Sequence, residues 1–115
     1  MKKKAAPTDV LQREYQRLCS RLARTGYISQ GSVLDRSQLR SPRSGFQWTR
    51  KVARKTITVA LSPEQFQALG QAIENRRRLE GTIRKMESLS RRILFGTLPD
   101  TRRRKSLSKK ALGLI

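Results

Sequence analysis

The sequence predicts an α+β fold: an N-terminal helix, a small antiparallel sheet with a basic β-hairpin at residues 46–61, a long helix at 63–95 and a basic C-terminal arm. Three patterns carry this expectation. Leu11, Tyr15, Leu18 and Leu22 recur at spacings of four, three and four, the stripe of an amphipathic helix. Residues 46–61, GFQWTRKVARKTITVAL less its first glycine, are rich in aromatic and β-branched residues and alternate in polarity. Phe66, Leu69, Ile73, Leu79, Ile83, Met86, Leu89 and Ile93 form a second helical stripe, with spacings that average about 3.5 when the place held by Arg76 is counted.

Taken in order, residues 1–7 are expected to be a disordered basic lead-in, and Thr8 or Asp9 to cap the first helix. Gly26 is placed to end it, and Arg13, Arg17, Arg21 and Arg24 fall on its solvated face. A short strand is expected within 27–36, with Ile28 and Val33 or Leu34 facing inward. Residues 37–45, SQLRSPRSG, lack periodicity and are expected to be a mobile loop that orders on a partner.

The hairpin can be given a register. With Ala53 and Arg54 at the tip, Val52 faces Lys55, Arg50 faces Ile57, Trp48 faces Val59 and Phe46 faces Leu61, so one face is mostly apolar. The other carries Gln47, Thr49 and Lys51 opposite Ala60, Thr58 and Thr56. Trp48 shares the apolar face, and core packing is its expected role ahead of stacking on a base. Next, Ser62 is expected to cap the long helix, with Pro63 at its first position and Gln65 completing a capping box. Gly96 is placed to end that helix, TLPD to turn, and RRRKSLSKK at 102–110 to form the arm before the apolar close ALGLI. One small domain is thus expected over 8–96, followed by the arm at 97–115.

Charge points to the partner. The 115 residues hold 27 Lys and Arg against 8 Asp and Glu, a formal net charge of +19. A chain so charged repels itself until an anion neutralises it, and nucleic acid is the commonest soluble polyanion. Only 36% of the residues are hydrophobic, below the roughly 45–50% of ordinary domains, so the core is expected to be thin. There is no His and only one Cys, Cys19, so no zinc-binding set, internal disulfide or ordinary imidazole base is available, and no cofactor or enzymatic activity is expected. No apolar run is long enough for a membrane span or a signal peptide, and a cytoplasmic setting is expected.

A two-stranded ribbon fits the major groove of DNA, and cations around its tip can grip phosphates. The candidate nucleic-acid-binding residues are Arg50, Lys51, Arg54 and Lys55 around the tip, Arg40 and Arg43 in the preceding loop, and Arg102, Arg103, Arg104, Lys105, Lys109 and Lys110 in the arm. Thr49, Thr56 and Thr58 are as well explained by a solvent face as by contact. DNA is favoured over RNA. The alternative is an interaction protein whose 63–95 helix pairs with its own copy or with a larger subunit, although Arg76, Arg77 and Arg78 sit badly in a dry seam.

GSV…R at 31–36, QWTRKVARKT at 47–56, LSPEQ at 61–65 and AIENRRRLE at 72–80 together resemble a bacterial family of short proteins, the domain of unknown function 6788. The likeness covers most of residues 15–95, its most specific parts being a W-T/S-R-K-V-x-G-K-T element followed by L-S-x-E-Q. It implies a compact helix, sheet and helix protein and no particular activity. Two departures matter. A cysteine cluster that many relatives carry before the tryptophan strand is replaced here by SQLRSPRSG, which removes the implied metal ligands. Arg54 replaces the usual hairpin Gly, and because Arg tolerates positive φ poorly, a four-residue turn is expected at the tip.

Overall fold

A computed structural model describes residues 7–102 and 104–113. The elements run α1 (Pro7–Leu22), β1 (Ser32–Asp35), a 3-10 turn (Arg36–Gln38), β2 (Phe46–Val52), β3 (Lys55–Leu61), α2 (Pro63–Thr97) and α3 (Lys109–Leu112). The fold is α+β, with a three-stranded antiparallel sheet in the order β1-β2-β3. The chain divides into two compact units, one of residues 25–79 and one of the residues up to 24 with those from 80 onward. Among the described residues no helix is long and apolar enough to cross a membrane.

The unit of residues 25–79 is a sheet covered on one face by the first half of α2. The hairpin has the register expected of it, Phe46 to Leu61 through Val52 to Lys55. β1 adds to the other side of β2, with Val33 opposite Trp48 and Leu34 opposite Gln47. Since side chains alternate across a strand, Val33, Phe46, Trp48, Val59 and Leu61 share the face turned toward α2. There Phe46 stacks on Phe66, and Gly70 leaves just enough room for Val33, whose Cγ2 lies 3.4 Å from where a Cβ would stand. The connection before β1 is tied to the same helix: Ser29 N–H donates to the Ala72 carbonyl at 3.2 Å, and Asn75 Nδ2 donates to the Tyr27 carbonyl at 2.9 Å. Ala72 and Ile73 are the buried apolar residues of this unit.

α2 begins as its sequence dictates. Ser62 Oγ accepts from Gln65 N–H at 3.1 Å while Ser62 N–H donates to Gln65 Oε1 at 3.0 Å, a reciprocal capping box with Pro63 at the first helical position. Gly96 does not end the helix, which runs on to Thr97, where the Thr97 hydroxyl donates to the Ile93 carbonyl at 2.8 Å.

In the second unit, α1 opens at Pro7 rather than after a Thr8 or Asp9 cap. Proline suits a first helical position because its missing N–H would have no partner there, and Asp9 then falls in the first turn, where a carboxylate meets the positive end of the helix dipole. The remaining residues of the expected lead-in lie outside the described residues. α1 ends at Leu22, ahead of Gly26, and Leu11, Tyr15 and Leu22 are half-buried around a buried Leu18. Leu89 is the buried apolar residue of α2 in this unit, and residues of both helices line two open grooves of about 850 and 350 Å³. Interiors pack without such gaps, so the core here is thin.

Two inward assignments fail. Ile28 is 49% exposed and lies outside β1, because Gly31, at φ +102°, turns the chain between them. Val59 is 40% exposed although it faces α2, because β3 is the edge strand of the sheet.

Candidate nucleic-acid interface

The tip of the hairpin is a two-residue turn with φ +50° at Ala53 and +70° at Arg54. The four-residue turn expected from Arg54 does not form. Positive φ at both positions is the type I′ geometry whose twist matches paired strands, and seven cross-strand pairs below the turn hold two unfavourable residues in it.

This tight turn fixes where the cations point. Arg50 and Lys55 project on the α2 side of the ribbon and Lys51 on the other, while Arg54 stands at the turn itself. All four are exposed. The Arg50 guanidinium lies 5.6 Å from the centroid of the Trp48 ring, a cation–π contact that holds it along the ribbon. Among the described residues, no ion pair or side-chain hydrogen bond engages Lys51, Arg54 or Lys55.

Trp48 anchors the base of the ribbon. Its indole N–H donates to the Gln30 carbonyl at 2.9 Å, and a Cβ on Gly31 would stand 2.5 Å from that nitrogen. The residue is half-buried, as the apolar side of the hairpin requires. The opposite face carries a half-buried Thr49 with Lys51, Thr56, Thr58 and Ala60, all exposed, and Gln47 there accepts from Arg36 Nε at 3.2 Å.

Arg40 and Arg43 are exposed, in a loop that is more organised than SQLRSPRSG suggests. The Arg36 carbonyl accepts from Leu39 N–H at 3.2 Å and Arg43 N–H at 3.1 Å, and Arg36 N–H donates to the Gly45 carbonyl at 2.9 Å. Asp35 Oδ1 accepts from the backbone N–H and the hydroxyl of Ser37, at 3.0 and 2.8 Å. The loop is therefore built on local hydrogen bonds. It joins β2 at Phe46, the end opposite the turn, so a strand roughly 20 Å long at about 3.3 Å per residue separates the root of the loop carrying Arg40 and Arg43 from the turn carrying Arg54. The fold does not bring these two groups together.

The arm belongs to the other unit. Arg102, Lys105, Lys109 and Lys110 are exposed, and Arg103 lies outside the described residues. Arg104 is engaged within the chain: it pairs with the Asp100 carboxylate, and its guanidinium sits 5.2 Å from the centroid of the Phe95 ring. Lys109 and Lys110 stand on α3, capped by Ser108 Oγ, which accepts from Ala111 N–H at 3.0 Å, and closed by Gly113 at φ +76°. The Ser108 and Gly113 frame, an N-cap and a left-handed C-terminal residue, is the sequence signal for this turn of helix. Gly113 rests against the Arg91 guanidinium, where a Cβ would come within 2.7 Å, so the end of the arm folds onto α2. The part played by Arg36 was not legible, because Gly45 and Gln47 are brought beside it only by the pairing of β1 with β2.

No protein-family model, no curated protein and no solved structure matches the chain.

Proposed function

We propose that the protein binds nucleic acid, duplex DNA in preference to RNA, chiefly through phosphates, with the hairpin turn as the main contact and the basic arm as the second. One observation carries the reading: on a chain of net charge +19, Lys51, Arg54 and Lys55 stand exposed and, among the described residues, without ion-pair partners on a ribbon anchored by Trp48. Cations held on a stiff support lose little freedom on binding, and each phosphate they neutralise releases counterions. The exposed Thr56 and Thr58, with the half-buried Thr49, lie beside Lys51 and offer hydroxyls to base edges, so modest readout in a groove accompanies the phosphate contacts. The resemblance to the domain of unknown function 6788 family belongs to the same proposal, as does a cytoplasmic setting. The role is that of a binding subunit rather than an enzyme, such as an accessory factor of recombination, transposition or another nucleoprotein complex.

Binding to duplex DNA, single-stranded DNA and structured RNA across a salt series tests this. Each phosphate contact contributes about 0.9 to the slope of log affinity against log salt on duplex DNA. Replacing Lys51, Arg54 and Lys55 together by Ala is expected to lower the slope by roughly 2–3. Absence of salt-dependent affinity for any polymer refutes the reading.

A second reading rests on Leu94, Phe95 and Leu98, all large, apolar and exposed in the last turns of α2 and just beyond. They suit a protein partner of that end of the helix. Leu94→Glu abolishing capture of such a partner while leaving DNA binding intact would support it.

A further inference from the structure

We infer that a second copy of this chain pairs with the first along β3, edge to edge and antiparallel, with Thr58 on the two-fold axis. The two edges of the sheet differ. β1 has four residues and runs between Gly31 and a 3-10 turn, so it offers little to a neighbour. β3 has seven residues in unbroken register with β2, with no bulge and no proline. Proteins usually guard such an edge with charges, bulges or proline. This one carries a single charge, Lys55, at its first position, in a chain of which 30% is charged.

The hydrogen-bond pattern of the edge is self-complementary. Beside a two-residue turn the flanking residues, Val52 and Lys55, exchange both backbone bonds, and the exchange recurs at alternate pairs. Ile57, Val59 and Leu61 therefore bond inward to β2, while the N–H and C=O groups of Thr56, Thr58 and Ala60 point outward. That outward set is symmetric about Thr58. Turning a second copy through a half rotation places Thr58 opposite Thr58, and Thr56 opposite Ala60 on each side, so all six outward groups of each strand find partners.

The side chains agree with this register. Ile57 of one copy meets Val59 of the other in close, non-hydrogen-bonded pairs, which covers two apolar residues now 39% and 40% exposed. Lys55 falls opposite Leu61, so the two lysines sit at opposite ends and no like charges face across the seam. Strand-to-strand contact of this length is small, which places the association in the weak, reversible class. Under the nucleic-acid reading the arrangement has a further meaning. The two basic turns would stand about 31 Å apart at ~3.4 Å per residue, close to the roughly 34 Å of one turn of B-DNA.

Self-association is measured without nucleic acid, so this inference and the proposed function fail independently. The measurements are sedimentation equilibrium at about 0.5 M salt, where repulsion is screened beyond roughly 4 Å, and at protein concentrations up to about 1 mM. The expected mass rises with concentration from 13.2 kDa toward twice that value. Thr58→Lys sets two cations face to face, and Thr58→Pro removes an outward N–H without touching the β2 ladder. Both variants are expected to remain monomeric with unchanged circular dichroism. In a Cys19→Ser background, T58C is expected to oxidise to a covalent dimer, because hydrogen-bonded partners lie about 5.5 Å apart at Cα, within disulfide reach. T56C, on the same face and also exposed, is expected not to, because its counterpart would stand about 14 Å away. A constant 13.2 kDa mass, a dimer that survives both Thr58 substitutions, or crosslinking of T56C as fast as T58C would each overturn the inference.

Discussion

The ring of Phe46 stacks on the ring of Phe66, with 4.3 Å between centroids and 27° between planes. One residue opens β2 and the other lies in the first turn of α2, so this contact joins sheet to helix next to the capping box. Few buried apolar side chains support the unit besides Ala72 and Ile73. Phe66→Ala is expected to cost about 2–3 kcal/mol, somewhat below the roughly 3–5 kcal/mol of a fully buried phenylalanine, as measured by urea unfolding. Phe66→Leu should recover more than half of that loss, since it restores apolar volume but not the stacking.

Gly31→Ala is expected to be more damaging than its single methyl suggests. The position has φ +102°, and the added Cβ would stand 2.4 Å from the Thr49 carbonyl oxygen and 2.5 Å from Trp48 Nε1. Backbone and indole must both move, breaking the bond from Trp48 to Gln30. A loss of more than about 2 kcal/mol with a changed tryptophan emission maximum is the expected outcome. Unaltered stability would show that the turn tolerates a side chain.

At the tip, stability and proposed binding pull apart. Arg54 stands at φ +70°, a region that costs an L-residue roughly 1–2 kcal/mol and glycine little. Arg54→Gly is therefore expected to raise stability by about 1 kcal/mol in thermal or urea unfolding. The same change is expected to lower the DNA salt slope by about 0.9, the share of one phosphate. Retention of Arg at a strained position is accounted for if its charge is used.

Within the arm, cations are not equivalent. Arg104 is held by Asp100 and Phe95, whereas Lys51 has no such partner among the described residues. Arg104→Ala is expected to change the salt slope by less than about half the 0.9 expected of Lys51→Ala. Asp100→Asn, which frees Arg104, is expected to raise affinity for duplex DNA severalfold at low salt. Titration of the three variants against one duplex checks the order.

Much of this arrangement was legible because it is set by short-range rules. Period-two alternation fixed the pairing from Phe46 to Leu61, and Ser62, Pro63 and Gln65 announced the start of α2. The spacing of Leu11, Tyr15, Leu18 and Leu22 likewise marked the inner side of α1. What escaped depends on which strands lie at an edge and on competition between local and cooperative terms. Val59 has an inward-facing pattern but sits on the outermost strand, and Ile28 precedes a glycine turn that separates it from β1. Arg54 argued against a tight turn on local grounds, and the ladder of seven pairs outweighed it. Nor does sequence spacing say that Arg40 and Arg43 fall at the far end of β2 from Arg54, or that Asp100 holds Arg104.

Trp48 is the only tryptophan in the chain, and it belongs wholly to the unit of residues 25–79, hydrogen-bonded to Gln30 with Arg50 across its ring. Its fluorescence is thus a built-in optical label for that half of the molecule, whereas far-ultraviolet dichroism is dominated by helix from both. Recording the two signals along one unfolding curve, with no dye and no substitution, would tell whether the sheet melts in step with the helices or on its own.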